Sequence, residues 1–502
     1  MSDRSAGKEH QARAKGSAAL KPFENLFRNG ETVEIMTVDR MVEWFRRREN
    51  GRLMLPPIQR SFVWDNARIL NYWDSLMRGY PAGMMMVTRV RCEGSRHYGR
   101  GLDNRTEELT DTDLQLFDGQ QRLRTLLLGF GEGALRASLK VWIDVGKSDG
   151  AEDRLFMLRI NSTGQPFGYR ETEPNAKIRT EDRRELHQQW PVCGGNPQSP
   201  QVIFEDMALK VVGELHSAKC AVSLAYILTK LANGQEKEIS EELRQRAASS
   251  ASPPGGADID ELLKRLQKSL NAELIVKLID DTISDESDYT RYFARLGQGG
   301  VRLSDDELIY SLIKDRYPKV HDRVEKIVEK TGRLASEVDL VLGTFRVAKA
   351  LSPWDNAEEW EQVGRPTPKQ VGRMRGDDAK TTEQYFNAML PEEDHVPFKL
   401  LTVFEYLRSG LLYVAETNPS GLPAMLLVRV PRDLLDVLIL FAFRRGETRS
   451  WSEEDCETLI AFVLYWLVFV SKSLSKIIPS PDKDFVTSCA LMPIAGTRVR
   501  FG

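Results

Sequence analysis

The alternation of apolar and polar positions predicts mixed strands and helices in the first part of the chain. Apolar runs at residues 33–36, 84–90 and 114–117 have the length of buried strands. Residues 67–78 repeat apolar positions three and four apart, which is the period of a helix packed on a core. A polar stretch at residues 92–111 predicts a long loop. Further predicted elements here are a helix at residues 38–48 and strands at 139–145 and 155–160.

From residue 202 onward the apolar pattern takes the helical period. Predicted helices lie at residues 204–231, 237–246, 289–296, 305–315, 320–330 and 337–350, with a returning strand at residues 275–279. The sequence AASSASPPGG at residues 247–256 has the composition of a linker. The pattern therefore predicts an α+β fold, with an N-terminal α/β core followed by a mostly α-helical C-terminal half.

Changes of composition divide the chain into successive segments. The start of the chain is rich in small and charged residues, which predicts disorder because little apolar surface is available for burial. Prolines and glycines mark a boundary after residue 350. The expected organisation is a disordered tail at residues 1–30, an α/β domain at 31–200, a helical extension at 201–350, a linker at 351–380 and a C-terminal helical domain at 381–502.

Composition and charge narrow the class of function. The 502 residues include 70 Lys and Arg against 73 Asp and Glu, a net charge of −3, which excludes coating of nucleic acid by bulk charge and leaves a local basic groove. The five cysteines are scattered singly, which argues against a structural zinc site and favours reduced thiols. The longest apolar run is shorter than the roughly 20 residues of a membrane span. We therefore expect a cytoplasmic protein without a membrane partner.

The sharpest motif is DGQQR at residues 118–122, between a predicted strand and a predicted helix. Asp118 and Gln121 have the spacing of a capping box, and the apolar stripe of the helix leaves Gln121 and Thr125 on the opposite side. A helix N-terminus offers N–H groups and partial positive charge, Gly119 permits close backbone approach, and Arg122 supplies a fork suited to phosphate. The motif favours a phosphate or nucleotide site, while a capped surface helix explains the same residues equally well.

A second cluster is PPIQRSFVW at residues 56–64. Gln59 and Arg60 stand beside aromatic residues, a combination that can hold a phosphate and stack on a base. The alternative is a proline-stiffened loop in which Phe62 and Trp64 fill the core. On the residues of this cluster alone, the structural interpretation is the stronger one.

A third cluster is FARLGQGGVRLSDDEL at residues 293–308. Ser304 and Glu307 form a capping box, and the acidic first turn that follows would repel an anion. We therefore assign the ligand-binding role in this cluster to Arg295. The six histidines are dispersed without metal-ligand or nucleophile spacing, so no metal site is predicted.

Together these motifs resemble the N-terminal-domain family of the GmrSD restriction endonucleases, over roughly residues 33–314. The DGQQR block carries the resemblance most strongly, with PPIQRSFVW, DSLMRGYPAG at residues 74–83 and the FARLGQGG segment in the same order. The resemblance implies a core related to the ParB/sulfiredoxin fold and a role in bacterial defence against foreign DNA. It also implies binding and hydrolysis of nucleoside triphosphates, coupled to a nuclease domain.

Carried over to this chain, the family motif implies a nucleotide site around the DGQQR turn. The implied catalytic residues are Asp118, Gln121 and Arg122, and the implied nucleotide-binding residues are Gln59, Arg60, Gly119, Gln120, Thr125 and Arg295. The implied cofactor is a nucleoside triphosphate, with Mg²⁺ as a candidate companion ion. The implied partners are the nucleotide and DNA, the latter bound directly or through a nuclease, and a homo-oligomer is left open.

The chain departs from the family pattern in two places. Gly297 stands where the family usually has Asn, which removes a polar contact from the third motif. No HNH-type nuclease half follows Thr381 in recognisable form. The leading hypothesis is therefore an NTP-binding and NTP-hydrolysing regulatory component of a restriction or anti-phage system. A non-catalytic nucleic-acid sensor or scaffold is the alternative, and a ParB-like nuclease ranks third.

Overall fold

The protein divides into two compact units, Met1–Leu296 and Gly297–Gly502, in a computed structural model. The division falls inside the predicted segment 201–350, because Glu273–Leu278 still completes the sheet of the first unit. The residues that the structure describes are 23–27, 29–47, 51–59, 62–89, 98–101, 105–146, 154–190, 199–248, 256–280, 292–293, 295–296, 304–317, 320–330, 335–351, 386–387, 389–390, 399–423, 430–445 and 451–467.

Within the described residues, the strands of the first unit form three sheets. They are β1 (Val33–Thr37), β2 (Leu53–Met54), β3 (Met84–Thr88), β4 (Tyr98–Arg100), β5 (Thr106–Glu108), β6 (Leu114–Asp118), β7 (Leu139–Asp144), β8 (Leu158–Ser162), β9 (Val212–Gly213), β10 (Ala221–Ser223) and β11 (Glu273–Leu278). The central five-stranded sheet has the order β1-β11-β3-β6-β2, and a four-stranded sheet has the order β8-β7-β10-β9. Strands β4 and β5 pair with each other.

The returning strand predicted at residues 275–279 is confirmed as β11. It lies between β1 and β3, antiparallel to the first and parallel to the second. Because β3 is in turn antiparallel to β6, the sheet is mixed. The α+β class is confirmed as well.

Two sequence predictions fail because strand pairing overrides the local pattern. The predicted loop at residues 92–111 contains β4 and β5, and the helix predicted at residues 204–231 is interrupted by β9 and β10. These two short strands extend the sheet from β7, so partners distant in sequence decide their conformation.

The described helices of the first unit are α1 (Val38–Arg46), α2 (Asn66–Arg78), α3 (Gln120–Gly129), α4 (Thr180–Gln189), α5 (Pro200–Ala208), α6 (Leu224–Ala232), α7 (Glu236–Ala248) and α8 (Gly256–Leu270). Helix α8 was not predicted, because the preceding linker composition hides its start. Its residues Ile259, Leu263 and Leu266 are nevertheless buried at helical spacing. Helices α1, α2, α3, α6 and α8 share one apolar core with the inner face of the central sheet.

The end of the predicted disordered tail packs against this core. Leu26 and Phe27 are buried, and Phe23 stacks on Trp44 with ring centroids 5.7 Å apart. The tail prediction is therefore wrong for residues 23–27, since these aromatic and aliphatic side chains find a surface to cover. Residues 1–22 lie outside the described residues.

The described helices of the second unit are α9 (Asp305–Arg316), α10 (Val320–Lys330), α11 (Glu337–Leu351), α12 (Lys399–Leu411), α13 (Arg432–Arg445) and α14 (Glu453–Tyr465). They enclose a separate apolar core, which confirms the helices predicted at residues 305–315, 320–330 and 337–350. The predicted linker at 351–380 lies almost wholly outside the described residues. Among the described residues, no helix is long and apolar enough to cross a membrane.

Candidate functional site

The DGQQR motif forms the turn between strand β6 and helix α3. Strand β6 ends at Asp118, Gly119 has a φ of 98°, and α3 begins at Gln120. Asp118 pairs with Met86 of β3, so the turn lies at the end of the central sheet. The N-terminus of a helix directs backbone N–H groups and the positive end of its dipole outward. The turn therefore places a positive helix terminus at this end of the sheet.

The capping box predicted for α3 is wrong. Gly119 is the N-cap residue, and it makes no side-chain hydrogen bond to the helix. Asp118 cannot take this role because it is still part of the β6 ladder, opposite Met86. Gln121 is thereby displaced from the position that a capping partner would need. The first turn of α3 thus receives no acceptor from the side chain of its N-cap residue.

Gly119 is required both by backbone conformation and by space. Its positive φ lies in the left-handed region, which residues with a Cβ rarely adopt. A Cβ at this position would lie 2.8 Å from Cγ of Met85, a buried core residue of β3. The glycine therefore allows the strand to turn into the helix directly against the core.

Arg122 reaches from the first turn of α3 to the neighbouring strand β3. Its Nη2 donates to the carbonyl oxygen of Met84 at 2.6 Å and approaches Asp118 Oδ2 at 3.3 Å. Its Nε is buried without a hydrogen-bond acceptor, although 28% of the side chain is exposed. Gly83 leaves it room, since a Cβ there would lie 3.3 Å from Nη1. Arg122 is thus anchored at one nitrogen and keeps an unsatisfied donor.

Asp118 and Arg122 form only a weak ion pair. The Asp118 side chain is 43% exposed, and the pair is long for a charge-assisted hydrogen bond. Pairs between partly exposed groups contribute roughly 0–1 kcal/mol to stability. The ion pair therefore holds neither side chain strongly in place.

Tyr72 of α2 is a neighbour of Arg122 that sequence reasoning missed. Its hydroxyl donates to the carbonyl oxygen of Ala82 at 2.8 Å, and its ring meets Trp64 edge to face at 5.5 Å. Burial raises the pKa of Tyr72 well above its ordinary value, and the positive charge of Arg122 offsets part of this rise. The phenol therefore stays protonated and holds the segment that leads into β3.

Gln59 and Gln121 attach the PPIQRSFVW segment to the DGQQR turn. The Nε2 of Gln59 donates to the carbonyl oxygens of Phe117 at 2.6 Å and Leu116 at 3.2 Å. The Oε1 of Gln121 accepts from the backbone N–H of Val63 at 3.0 Å. The segment thus lies beside the turn, as the sequence suggested, but the buried Gln59 amide is occupied with backbone.

Three further predicted site residues are Thr125, Gln120 and Arg60, and the structure describes only the first two. The predicted exposed position of Thr125 is wrong: its side chain is fully buried, and its Oγ1 donates to the carbonyl of Gln121 at 2.8 Å. The reason is that α2 covers this side of α3, with Trp73 Nε1 donating to the Thr125 carbonyl. The side chain of Gln120 is also buried. Arg60 lies outside the described residues.

The FARLGQGG segment starts beside the strand that carries the motif. Tyr292 stacks on Phe117 with ring centroids 5.4 Å apart, and Phe293 meets the same ring edge to face at 6.2 Å. The Tyr292 hydroxyl lies 3.5 Å from Met86 Sδ. Arg295 follows on this helical turn and is exposed. The structure therefore brings the start of the third motif to β6, one residue before Asp118, and leaves the Arg295 side chain exposed.

Arg100 binds the backbone of the PPIQRSFVW segment, and the sequence did not predict this role. Its side chain is 1% exposed, and its Nη2 donates to the carbonyl oxygen of Gln59 at 3.0 Å. Its backbone forms a bridge with Leu55. No signal in the sequence marked this role, because residue 100 fell within the predicted loop.

The fold and this turn define a class of protein: a mixed α/β domain that carries the DGQQR motif at a strand–helix turn. Residues 41–314, more than half of the chain, match the family described as the GmrSD restriction endonuclease N-terminal domain. The chain therefore belongs to this family, a family of restriction-system components, which confirms the resemblance drawn from its motifs. A comparison with curated proteins finds no match.

Proposed function

We propose that the protein binds and hydrolyses nucleoside triphosphates as a component of a bacterial DNA-restriction system, in which it regulates or partners a nuclease. The observation that carries this proposal is Arg122, placed at a helix N-terminus whose N-cap residue is a glycine. A phosphate group carries negative charge and several acceptor oxygens, so it suits both the helix dipole and the arginine fork. Family membership supplies the restriction context.

In the proposed complex, the phosphates would lie against the turn. The N–H groups of Gly119 and Gln120 would donate to phosphate oxygens, and Gly119 allows the close approach because it has no side chain. Arg122 would use donors not engaged by Met84 and would stabilise the charge that develops during transfer of the phosphoryl group.

Asp118 fits a role toward Mg²⁺ because its carboxylate is partly exposed beside this phosphate position. Among the described residues, no group of three or more His, Cys, Asp or Glu could hold a metal ion. Asp118 would therefore share Mg²⁺ with the phosphate oxygens, which is how this ion is commonly held. When bound, Mg²⁺ neutralises phosphate charge.

Gln121 and Gln59 act in this proposal as positioning residues. Both amides bind backbone groups, Val63 for Gln121 and the end of β6 for Gln59. They would keep the PPIQRSFVW segment against the nucleotide site, and Arg60 and Arg295 would add positive charge from the second and third motifs.

A hydrolysis panel tests this function. Purified protein is assayed with each of the four common ribonucleoside triphosphates, with and without DNA, beside Arg122→Ala and Arg136→Ala. Arg136 is an exposed arginine just beyond α3, so its variant removes the same charge away from the turn. We expect hydrolysis by the wild type and by Arg136→Ala, and a loss of at least about a hundredfold in Arg122→Ala.

The same panel separates the alternatives. Wild-type protein that neither binds nor hydrolyses any of the nucleotides would contradict the proposal. Steeply salt-dependent DNA binding without turnover would support the non-catalytic sensor or scaffold instead. Metal-dependent DNA cleavage that disappears in Asp118→Ala would support the ParB-like nuclease.

A further inference from the structure

The outer face of the central sheet carries a row of exposed apolar side chains. Ile35 of β1, Ile275 of β11 and Met84 of β3 occupy directly opposed positions in the sheet. Their exposed fractions are 63%, 45% and 39%, whereas their neighbours Met36, Leu274 and Met85 are buried on the inner face. Since neighbouring strands lie about 4.8 Å apart, the row extends about 10 Å across the sheet.

This row begins at the residue that anchors Arg122. The carbonyl oxygen of Met84 accepts the 2.6 Å hydrogen bond from Arg122 Nη2, and the side chain of Met84 starts the apolar row. Met84 therefore belongs to both features, because its carbonyl oxygen holds Arg122 and its side chain is part of the row. An apolar surface that starts at a phosphate site and extends by the width of a few strands has the layout of a nucleoside-binding surface.

Resting on the proposed function, we propose that Met84 and Ile275 form the platform on which the base of the bound nucleoside triphosphate lies, with Ile35 at its far edge. Thioether sulfur makes favourable contacts with aromatic rings, and the aliphatic side chain of Ile275 covers a base through its face. Because the sugar separates the base from the phosphates, the base would contact the platform while the phosphates contact Arg122.

The chemistry of the platform determines its selectivity. The aliphatic groups of the platform offer no strong donor or acceptor to the edge of a base, and Lys277 on the same face already donates to Thr32 Oγ1 at 2.7 Å. The platform therefore recognises the area of a base and not its hydrogen-bonding pattern. We expect purine nucleotides to bind more tightly than pyrimidine nucleotides, with all four within about tenfold, because buried apolar area sets the difference.

Equilibrium binding of nucleoside triphosphates and of inorganic tripolyphosphate to the full chain tests this inference. Met84→Ser is expected to weaken purine nucleotide binding by about tenfold and Ile275→Ser by less, with tripolyphosphate binding unchanged. Val33→Ser is the matched control. Val33 is 49% exposed on β1, but it lies opposite Lys277 and outside the row. All of these side chains are exposed, so their replacement leaves the core intact.

The outcomes distinguish failure of the platform from failure of the proposed function. Wild-type protein that binds nucleotides no more tightly than tripolyphosphate would overturn the platform, as would Met84→Ser that binds nucleotides like the wild type. Equal weakening of both ligands in Met84→Ser would also overturn it, because the change would then act on the phosphate site. If instead the variants alter the sedimentation coefficient and leave nucleotide binding unchanged, the face joins two copies of the chain. Wild-type protein that binds neither ligand contradicts the proposed function itself.

Discussion

Helices α3 and α9 begin in opposite ways. At α9, Ser304 Oγ accepts from the backbone N–H of Glu307 at 3.2 Å, and Glu307 Oε2 accepts from the backbone N–H of Ser304 at 2.8 Å. At α3, the cap position is Gly119, which has no side chain to offer. The first turn of α9 is also acidic, whereas that of α3 contains Arg122 and no acidic residue.

The difference shows what makes a helix N-terminus available to an anion. A capping box satisfies donors within the helix, and the carboxylates of α9 add negative charge that repels a phosphate. At α3, the strand continues through the residue that would have been the cap, and the helix starts one residue later. The same spacing of residue types therefore gives a closed terminus at α9 and an open one at α3.

The largest expected effect is that of Gly119→Ala on the open terminus. Both the positive φ and the 2.8 Å approach to Met85 Cγ oppose a Cβ at this position. We therefore expect Gly119→Ala to lower the free energy of unfolding by roughly 2–4 kcal/mol and to abolish nucleotide binding. Gly30→Ala is the matched control, since Gly30 has a φ of 78° with nothing within 4 Å. It should cost about 1 kcal/mol in urea unfolding. Equal costs for both variants would show that the close approach is unimportant.

Gln121→Ala tests whether Gln121 serves the open terminus as a tether. Removal of Oε1 leaves the Val63 N–H without this acceptor, so its hydrogen exchange is expected to accelerate by about tenfold. The N–H of Leu55, bonded to the Arg100 carbonyl, is the internal reference and should not change. Unchanged exchange at Val63 would mean that the segment is held without Gln121.

Ser304→Ala and Asp118→Asn compare the two termini directly. Loss of a genuine N-cap costs about 1 kcal/mol, so Ser304→Ala should lower the free energy of unfolding of the second unit by that amount. Asp118→Asn should change stability by less than about 0.5 kcal/mol, because Asp118 is not a cap. Thermal unfolding of both variants measures this. A larger cost for Asp118→Asn would restore the capping role that the structure denies it.

The smallest expected effect concerns Lys140, whose Nζ donates to the carbonyls of Ala208 and Lys210 at the C-terminal end of α5. Burial lowers the pKa of Lys140 to about 8. Above that pH the unfolded chain binds more protons at this lysine than the folded protein does, so stability contributed by this group rises with pH up to the ordinary lysine pKa. Solvent screening limits the rise to under about 1 kcal/mol.

The variant Lys140→Met isolates this contribution. The free energy of unfolding is measured with urea between about pH 8 and the ordinary lysine pKa. In the variant it should lack the rise with pH that Lys140 contributes to the wild type. An identical pH profile in the variant and in the wild type would show that burial does not shift this group.

Local patterns predicted much of the fold but not its long-range contacts. The period of residues 67–78 and the apolar run at 114–117 correspond to α2 and β6 because these elements depend on their own spacing. The ladder that holds Asp118 opposite Met86, and so moves the cap to Gly119, depends on a distant strand. The inward direction of Gln59 likewise depends on carbonyls of β6. These contacts join residues far apart in sequence, so spacing alone could not give them.

Hydrogen–deuterium exchange with and without saturating nucleotide tests most directly the claim that α3 presents an open anion site and α9 a closed one. Each common ribonucleoside triphosphate is added with Mg²⁺ to the full chain, and exchange is followed at residues 119–122 and 304–307. We predict protection at residues 119–122 and none at 304–307, with the protection lost in Arg122→Ala. Protection at residues 304–307, or nucleotide binding that leaves 119–122 unprotected, would contradict the account.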